Sequence, residues 1–85
     1  MTLDDIVSKA SEFTGWQLTW RIEKIDGRAC LIIEEPGRRQ TGLWLMRSFG
    51  GGLHEVYGRL RHYGIVAGSF EERKTLLRAL SEAEA

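Results

Sequence analysis

Two histidines, one cysteine, a run of three glycines and a set of arginines are the side chains of this 85-residue sequence whose chemistry could reach beyond its own fold. Each pattern implies a chemistry that can be weighed on spacing. His54 and His62 lie eight positions apart, which on a helix separates them by about 80° around the axis, so they do not converge on one metal as an i, i+4 pair can. Cys30 is the only thiol and forms no internal disulfide, so no cysteine framework for a metal exists and a reducing compartment is expected. Neither a metal nor a cofactor is expected. His54 with Glu55, Tyr57, Ser48 or Arg47 could supply an acid–base group beside an anion clamp, but adjacent helical positions point about 100° apart and make no natural dyad. No catalytic constellation results, and the expectation is that the chain is not an enzyme.

The segment Arg47-Ser48-Phe49-Gly50-Gly51-Gly52-Leu53-His54 invites a second chemistry, since a glycine-rich turn before a helix exposes backbone N–H groups that can hold an anion. The details favour a plain connector. A Walker lysine is missing, and Glu55 occupies the third glycine's place of a G-x-G-x-x-G fingerprint.

Charge and aromatic content carry the stronger signal. Twelve basic and twelve acidic residues cancel over the chain, yet residues 36–65 hold five arginines (Arg38, Arg39, Arg47, Arg59 and Arg61) against Glu55 alone. The middle third therefore carries about +4, a distribution that suits contact with a polyanion or with an acidic protein surface. Arg38 and Arg39 are expected on a loop, and Arg59 and Arg61 on a helix, where Glu55 four residues before Arg59 offers an ordinary surface pair. Three tryptophans, Trp16, Trp20 and Trp44, fall on predicted strands. Core packing accounts for most such residues, but Trp44 between Leu43 and Leu45 has the character of an interface anchor, where Trp and Arg are over-represented.

The elements that must position these residues follow from periodicity. Leu3, Ile6, Val7, Ala10 and Phe13 line one face of a helix from about 3 to 14, with Thr2 and Asp5 as a capping box and Gly15 as its stop. Trp16, Leu18, Trp20 and Ile22 then alternate with polar residues, and Asp26-Gly27 leads into a second β-rich run, Ala29 to Glu34. A type I′ turn at Asp26-Gly27 sets Trp20 opposite Ile33, Ile22 opposite Leu31 and Lys24 opposite Ala29. On the other face Ile25, Cys30 and Ile32 leave an apolar strip, which a helix or a partner must cover. Pro36-Gly37 suits a type II turn, and a third strand follows over Thr41 to Phe49. Leu43-Trp44-Leu45-Met46 is apolar on both parities, so its register stays open.

After the glycines, Leu53, Val56, Tyr57, Leu60 and Gly64 repeat at helical spacing and predict a second helix over 52–63. Ser69 and Glu72 predict a capping box that opens a third helix, with Phe70, Leu76, Leu77, Leu80 and Ala83 inward. The predicted fold is a single α+β domain over 1–85: a helix, a three-stranded antiparallel sheet and two C-terminal helices (α-β-β-β-α-α). Over residues 3–63 this order resembles the double-stranded-RNA-binding domain in outline. That family's Gly-Pro-x-His-type loop is replaced here by Asp26-Gly27, and its lysine cluster by Leu53-His54-Glu55, so the resemblance is one of architecture.

At 42% hydrophobic and 28% charged residues, the composition is that of a globular domain. The longest apolar runs are far below the roughly 20 residues that span a bilayer, and Met1-Thr2-Leu3-Asp4-Asp5 carries acids where a signal peptide carries positive charge. No membrane association and a cytoplasmic location are expected. The function that fits these features is a small non-catalytic interaction module binding a protein partner, an inhibitor or adaptor of phage or mobile-element type. Its expected contact residues are Trp44, Arg47, Arg38, Arg39, His54, Arg59 and Arg61. The alternative is a nucleic-acid-binding module using the arginine-rich face between residues 38 and 61. Self-association as a homodimer, through an edge strand or an apolar helix face, is a further expectation.

Overall fold

Thr2 and Asp5 open the first helix as their spacing predicts. In a computed structural model, which describes all residues but Leu60 and only the backbone of Thr41, α1 spans Leu3–Thr14. The Thr2 hydroxyl accepts from the Asp5 amide at 3.2 Å, and the Asp5 carboxylate accepts from the Thr2 amide at 2.8 Å. Gly15 ends the helix at φ +75° and donates to the Ser11 carbonyl. Hydrogen bonding from Thr2 to the carboxylate, first from its backbone amide and then from its side chain, holds the Asp5 carboxyl below its ordinary value. Thr2→Ala is expected to cost about 1 kcal/mol. Because the folded value of Asp5 is depressed, its contribution is present above the ordinary carboxyl range and lost as pH falls through it. Urea midpoints at pH 7 and pH 2 check both: wild type and Asp5→Ala should converge at the lower pH, whereas the loss in Thr2→Ala, which removes a neutral cap bond, should persist.

The hairpin is formed by β1 (Thr19–Ile25) and β2 (Arg28–Glu35). Asp26 at φ +52° and Gly27 at φ +81° give the two positive angles of a type I′ turn. Trp20 faces Ile33, Ile22 faces Leu31 and Lys24 faces Ala29, the register expected from the turn. Across the next turn, where Gly37 has φ +84°, β3 spans Arg38–Arg47 and pairs antiparallel with β2. Leu45 lies opposite Leu31 and Leu43 opposite Ile33, which settles the open register: Leu43 and Leu45 face the core, Trp44 and Met46 the other side.

The second helix expected over 52–63 is not formed. Residues Leu53–Gly58 are instead a fourth strand, β4, so among the described residues the sheet is a four-stranded antiparallel meander in the order β1-β2-β3-β4 rather than a three-stranded one. A bulge gives this strand its helix-like spacing. Trp44 pairs with Tyr57 but Leu45 pairs with Glu55, leaving Val56 as an extra residue. The extra residue breaks the two-residue alternation and spaces Leu53, Val56 and Tyr57 by three and four, as a helix would. Leu60, counted in that stripe, lies outside the described residues. With a strand in this place, the outline likeness to the double-stranded-RNA-binding domain ends after β3.

A single helical turn, α2 (Tyr63–Val66), leads to α3 (Phe70–Glu84). The Ser69 hydroxyl caps α3 by accepting from the Glu72 amide at 3.1 Å. The Glu72 carboxylate is buried and accepts from Lys9 of α1 at 3.4 Å, so this acid ties two helices together. Phe70 and Phe13, predicted to point inward, are largely exposed.

The core gathers Ile6, Val7 and Ala10 of α1, Val66 and Ala67, and Leu76 and Leu80 of α3. They meet Ala29, Leu31, Ile33, Leu43 and Leu45 of the central strands. All five sheet residues have odd numbers and lie in the regularly paired stretch of β2 and β3, short of the register shift after Ile33, so the helices pack on one face of the sheet. The other face carries none of that cluster.

Candidate interaction surface

The helix-free face is built from the even positions of the two central strands. Cys30 and Ile32 of β2 are fully buried there, although they lie outside the helix-packed cluster. Their cover comes from the neighbouring strands, since Ile32 lies between Arg21 of β1 and Trp44 of β3. The apolar strip expected on this face is therefore roofed by the sheet's own long side chains. Burial also raises the Cys30 thiol above its ordinary value. The folded state disfavours the thiolate, so this group's share of stability is intact below the ordinary thiol range and falls as pH rises through it. Cys30 is expected to resist an aromatic disulfide reagent in the native protein at pH 8 and to react fully in denaturant. Fast native labelling would show that the roof opens.

Next to this roof is an aromatic patch. Trp44 and Tyr57 stand edge to face with ring centroids 5.4 Å apart. Met46 and His54 are paired residues on the same face. Tyr57 is 55% exposed and Val56 44%. The Trp44 indole Nε1 is shut from solvent and has no acceptor among the described residues. The Arg39 guanidinium lies 5.9 Å from the Trp44 ring centroid, within cation–π range.

A closed ion pair borders the patch. Glu34, buried on this face, accepts from Arg21, which also reaches Glu23 at 2.9 Å. Glu34 and then Glu23 raise the Arg21 guanidinium further above its ordinary value.

The expected contact residues separate into four groups. Trp44, His54 and Arg39 share the helix-free face. Arg38, expected on a loop, is the first residue of β3 and pairs with Glu35 at 3.1 Å across the turn from β2. Arg47 lies on the opposite face, where it donates to Glu84 at 3.0 Å and to Ser81 at 3.3 Å, and so clamps the end of α3 to the sheet. Arg59 and Arg61 follow β4, in the link to α2, beside Trp16 and His62. Leu43 and Leu45, the sequence neighbours of Trp44, belong to the core.

Tyr57 belongs to the exposed patch but escapes sequence reasoning, because the segment reads as a helix. The only local hint is the β-branched and aromatic Val56-Tyr57 pair beside strand-breaking glycines.

The glycine loop closes the hairpin between β3 and β4. The Ser48 amide donates to the Gly52 carbonyl at 2.8 Å, Gly51 donates to the Ser48 carbonyl, and the Gly52 amide donates to the Ser48 hydroxyl. These inward bonds use donors that an anion cradle would need.

The titratable groups do not converge: His54 is on the helix-free face, His62 is beside Trp16, and Cys30 is buried between strands. Among the described residues no group of three or more His, Cys, Asp or Glu is placed to hold a metal ion, and no helix is long and apolar enough to cross a membrane. Comparison of the chain with protein-family models, curated proteins and solved structures finds no match.

Proposed function

We propose that this chain is a non-catalytic interaction module that binds a protein partner through the helix-free face of its sheet. The observation that carries this reading is the patch of Trp44, Tyr57 and Met46 beside Arg39, on a face the helices leave open. Trp, Tyr and Arg are the residue types that dominate binding energy at protein interfaces, and a rigid sheet presents them with little entropy to lose. The face suits a strand-sheet or sheet-sheet contact better than pairing at the β4 edge, where the bulge at Val56 interrupts the ladder.

A phosphate-tracking role is less well supported on this face. Arg21 is held by Glu23 and Glu34, Arg38 pairs with Glu35, and Arg47 is turned to the other side. A continuous row of open cations, the usual footprint of a polyanion site, does not run along the patch.

The test is affinity capture from the native host with wild type, Trp44→Ala and Tyr57→Ala. A protein retained by wild type and lost from both variants is the expected result. Retention unaffected by either substitution overturns the reading. So does strong, salt-sensitive binding of duplex RNA or DNA that depends on Trp44.

A further inference from the structure

A second aromatic and cationic site lies away from the patch, where α1 gives way to β1 and β4 gives way to α2. We propose that it binds a nucleotide-type ligand, with the phosphate held by Arg59 and Arg61 and the planar ring against Trp16 and His62. This inference does not depend on the partner-binding reading of the sheet face.

Thr14, Trp16, Arg59, Arg61 and His62 line an open pocket of about 340 Å³. That size falls within the range of small-molecule sites and is far larger than a bare anion needs. Among the described residues no acidic side chain lines it. Arg59 and Arg61 are exposed, and neither guanidinium has an ion pair or hydrogen bond among the described residues. In this they differ from Arg21, Arg38 and Arg47, each of which is engaged with a carboxylate. The Thr14 hydroxyl is already used, donating to the Ser11 carbonyl and accepting from the Trp16 amide. The open polar capacity of the pocket is therefore cationic, in the forked form that matches phosphate oxygens.

The rings supply the second half of the site. Trp16 and His62 stand 4.8 Å apart at an interplanar angle of 89°. A planar group lying flat on either ring presents its edge to the other, so the pair forms a corner that accepts a base. Base stacking on aromatic side chains of this kind contributes sequence-tolerant affinity. The His62 Nδ1 is shut from solvent and has no partner among the described residues. Below the corner, Leu18, Ile33, Leu43, Tyr63 and Val66 form an apolar cleft that shares Trp16, Arg59 and His62 with the pocket. The rim is charged and the floor is apolar.

The phosphate and ring could belong to a free nucleotide or to the phosphorylated end of a strand, and the test separates them. Amide, indole and imidazole NMR signals of the full chain are followed as a nucleoside monophosphate is added to about 10 mM at low salt, a range that detects millimolar affinity. The expected result is saturable shifts at the Trp16 indole and the His62 ring. Arg59→Gln and Arg61→Gln should each weaken binding roughly tenfold, the effect of losing one charge-assisted contact. Both sites are exposed and unpartnered, and Trp16→Phe, which keeps a ring, should weaken binding less than Trp16→Ala.

The unphosphorylated nucleoside and inorganic phosphate should each bind more weakly than the nucleotide. A 5′-phosphorylated oligonucleotide that binds more tightly than the nucleotide, at the same residues, assigns the ligand to a strand end; weaker binding assigns it to the free nucleotide. The proposal is overturned if Trp16 and His62 do not shift, if the double Arg59→Gln/Arg61→Gln variant binds as wild type does, or if an aromatic carboxylate binds as well as the nucleotide.

Discussion

Gly58→Ala is expected to destabilise the protein by about 3 kcal/mol or more, while Gly50→Ala changes little. Gly58 has φ +150°, a backbone conformation that L side chains rarely adopt. A Cβ built there falls 2.3 Å from the Gly42 carbonyl oxygen and 3.0 Å from the Leu43 Cα, both backbone atoms that cannot swing aside. Strain and clash therefore add at one position, at the point where the last strand leaves the sheet. Gly50 is the natural control, because a Cβ there meets nothing within 4 Å. A domain of this length holds roughly 4–13 kcal/mol in total, so a loss of this size is a large share. Urea denaturation of the two variants checks it, and equal midpoints would mean that β4 does not dock as described.

The second large effect separates two adjacent residues of β3. Leu45 is fully buried between the sheet and the helices. Leu45→Ala should cost about 3–5 kcal/mol, the range for a leucine truncated in a core that cannot collapse around the gap. Trp44 is only half-buried on the opposite face. Trp44→Ala should cost less stability, about 1–2 kcal/mol for the partial burial and the ring contact it loses, while abolishing partner capture. Thermal unfolding and capture measured on both variants give a crossed pattern: one residue governs the fold, the next the surface. If Trp44→Ala proves as destabilising as Leu45→Ala, the helix-free face is a second core and not a working surface.

Local signals placed α1, the β1–β2 hairpin and the start of α3 within a few residues. The reason is that their determinants are short in range. Thr2 and Asp5 meet across one turn of helix, Asp26 and Gly27 carry their own positive φ angles, and Ser69 caps the amide of Glu72. Glu72 shows where such reasoning stops. It stands at the position that completes a capping box, yet its carboxylate turns to Lys9, which is 63 residues away in the chain.

Strand β4 and the grouping of the arginines lay beyond local reach for the same reason. The segment from Leu53 to Gly58 has a spacing that fits a helix, and it becomes a strand because β3 offers a free edge and the bulge at Val56 accommodates the mismatch. The charge count gathers Arg38, Arg39, Arg47, Arg59 and Arg61 into one basic stretch. Folding distributes them among an ion pair, a cation–π contact, a clamp on α3 and an open pocket.

The sequence by itself determined the class, α+β, together with the caps, the turn and the first hairpin's register, because each depends on residues a few positions apart. Only the tertiary structure decided the number of strands, which side Trp44 faces, and which arginines remain unpaired. Those depend on which distant backbone supplies the hydrogen-bonding edge, and on which distant acid reaches each cation first.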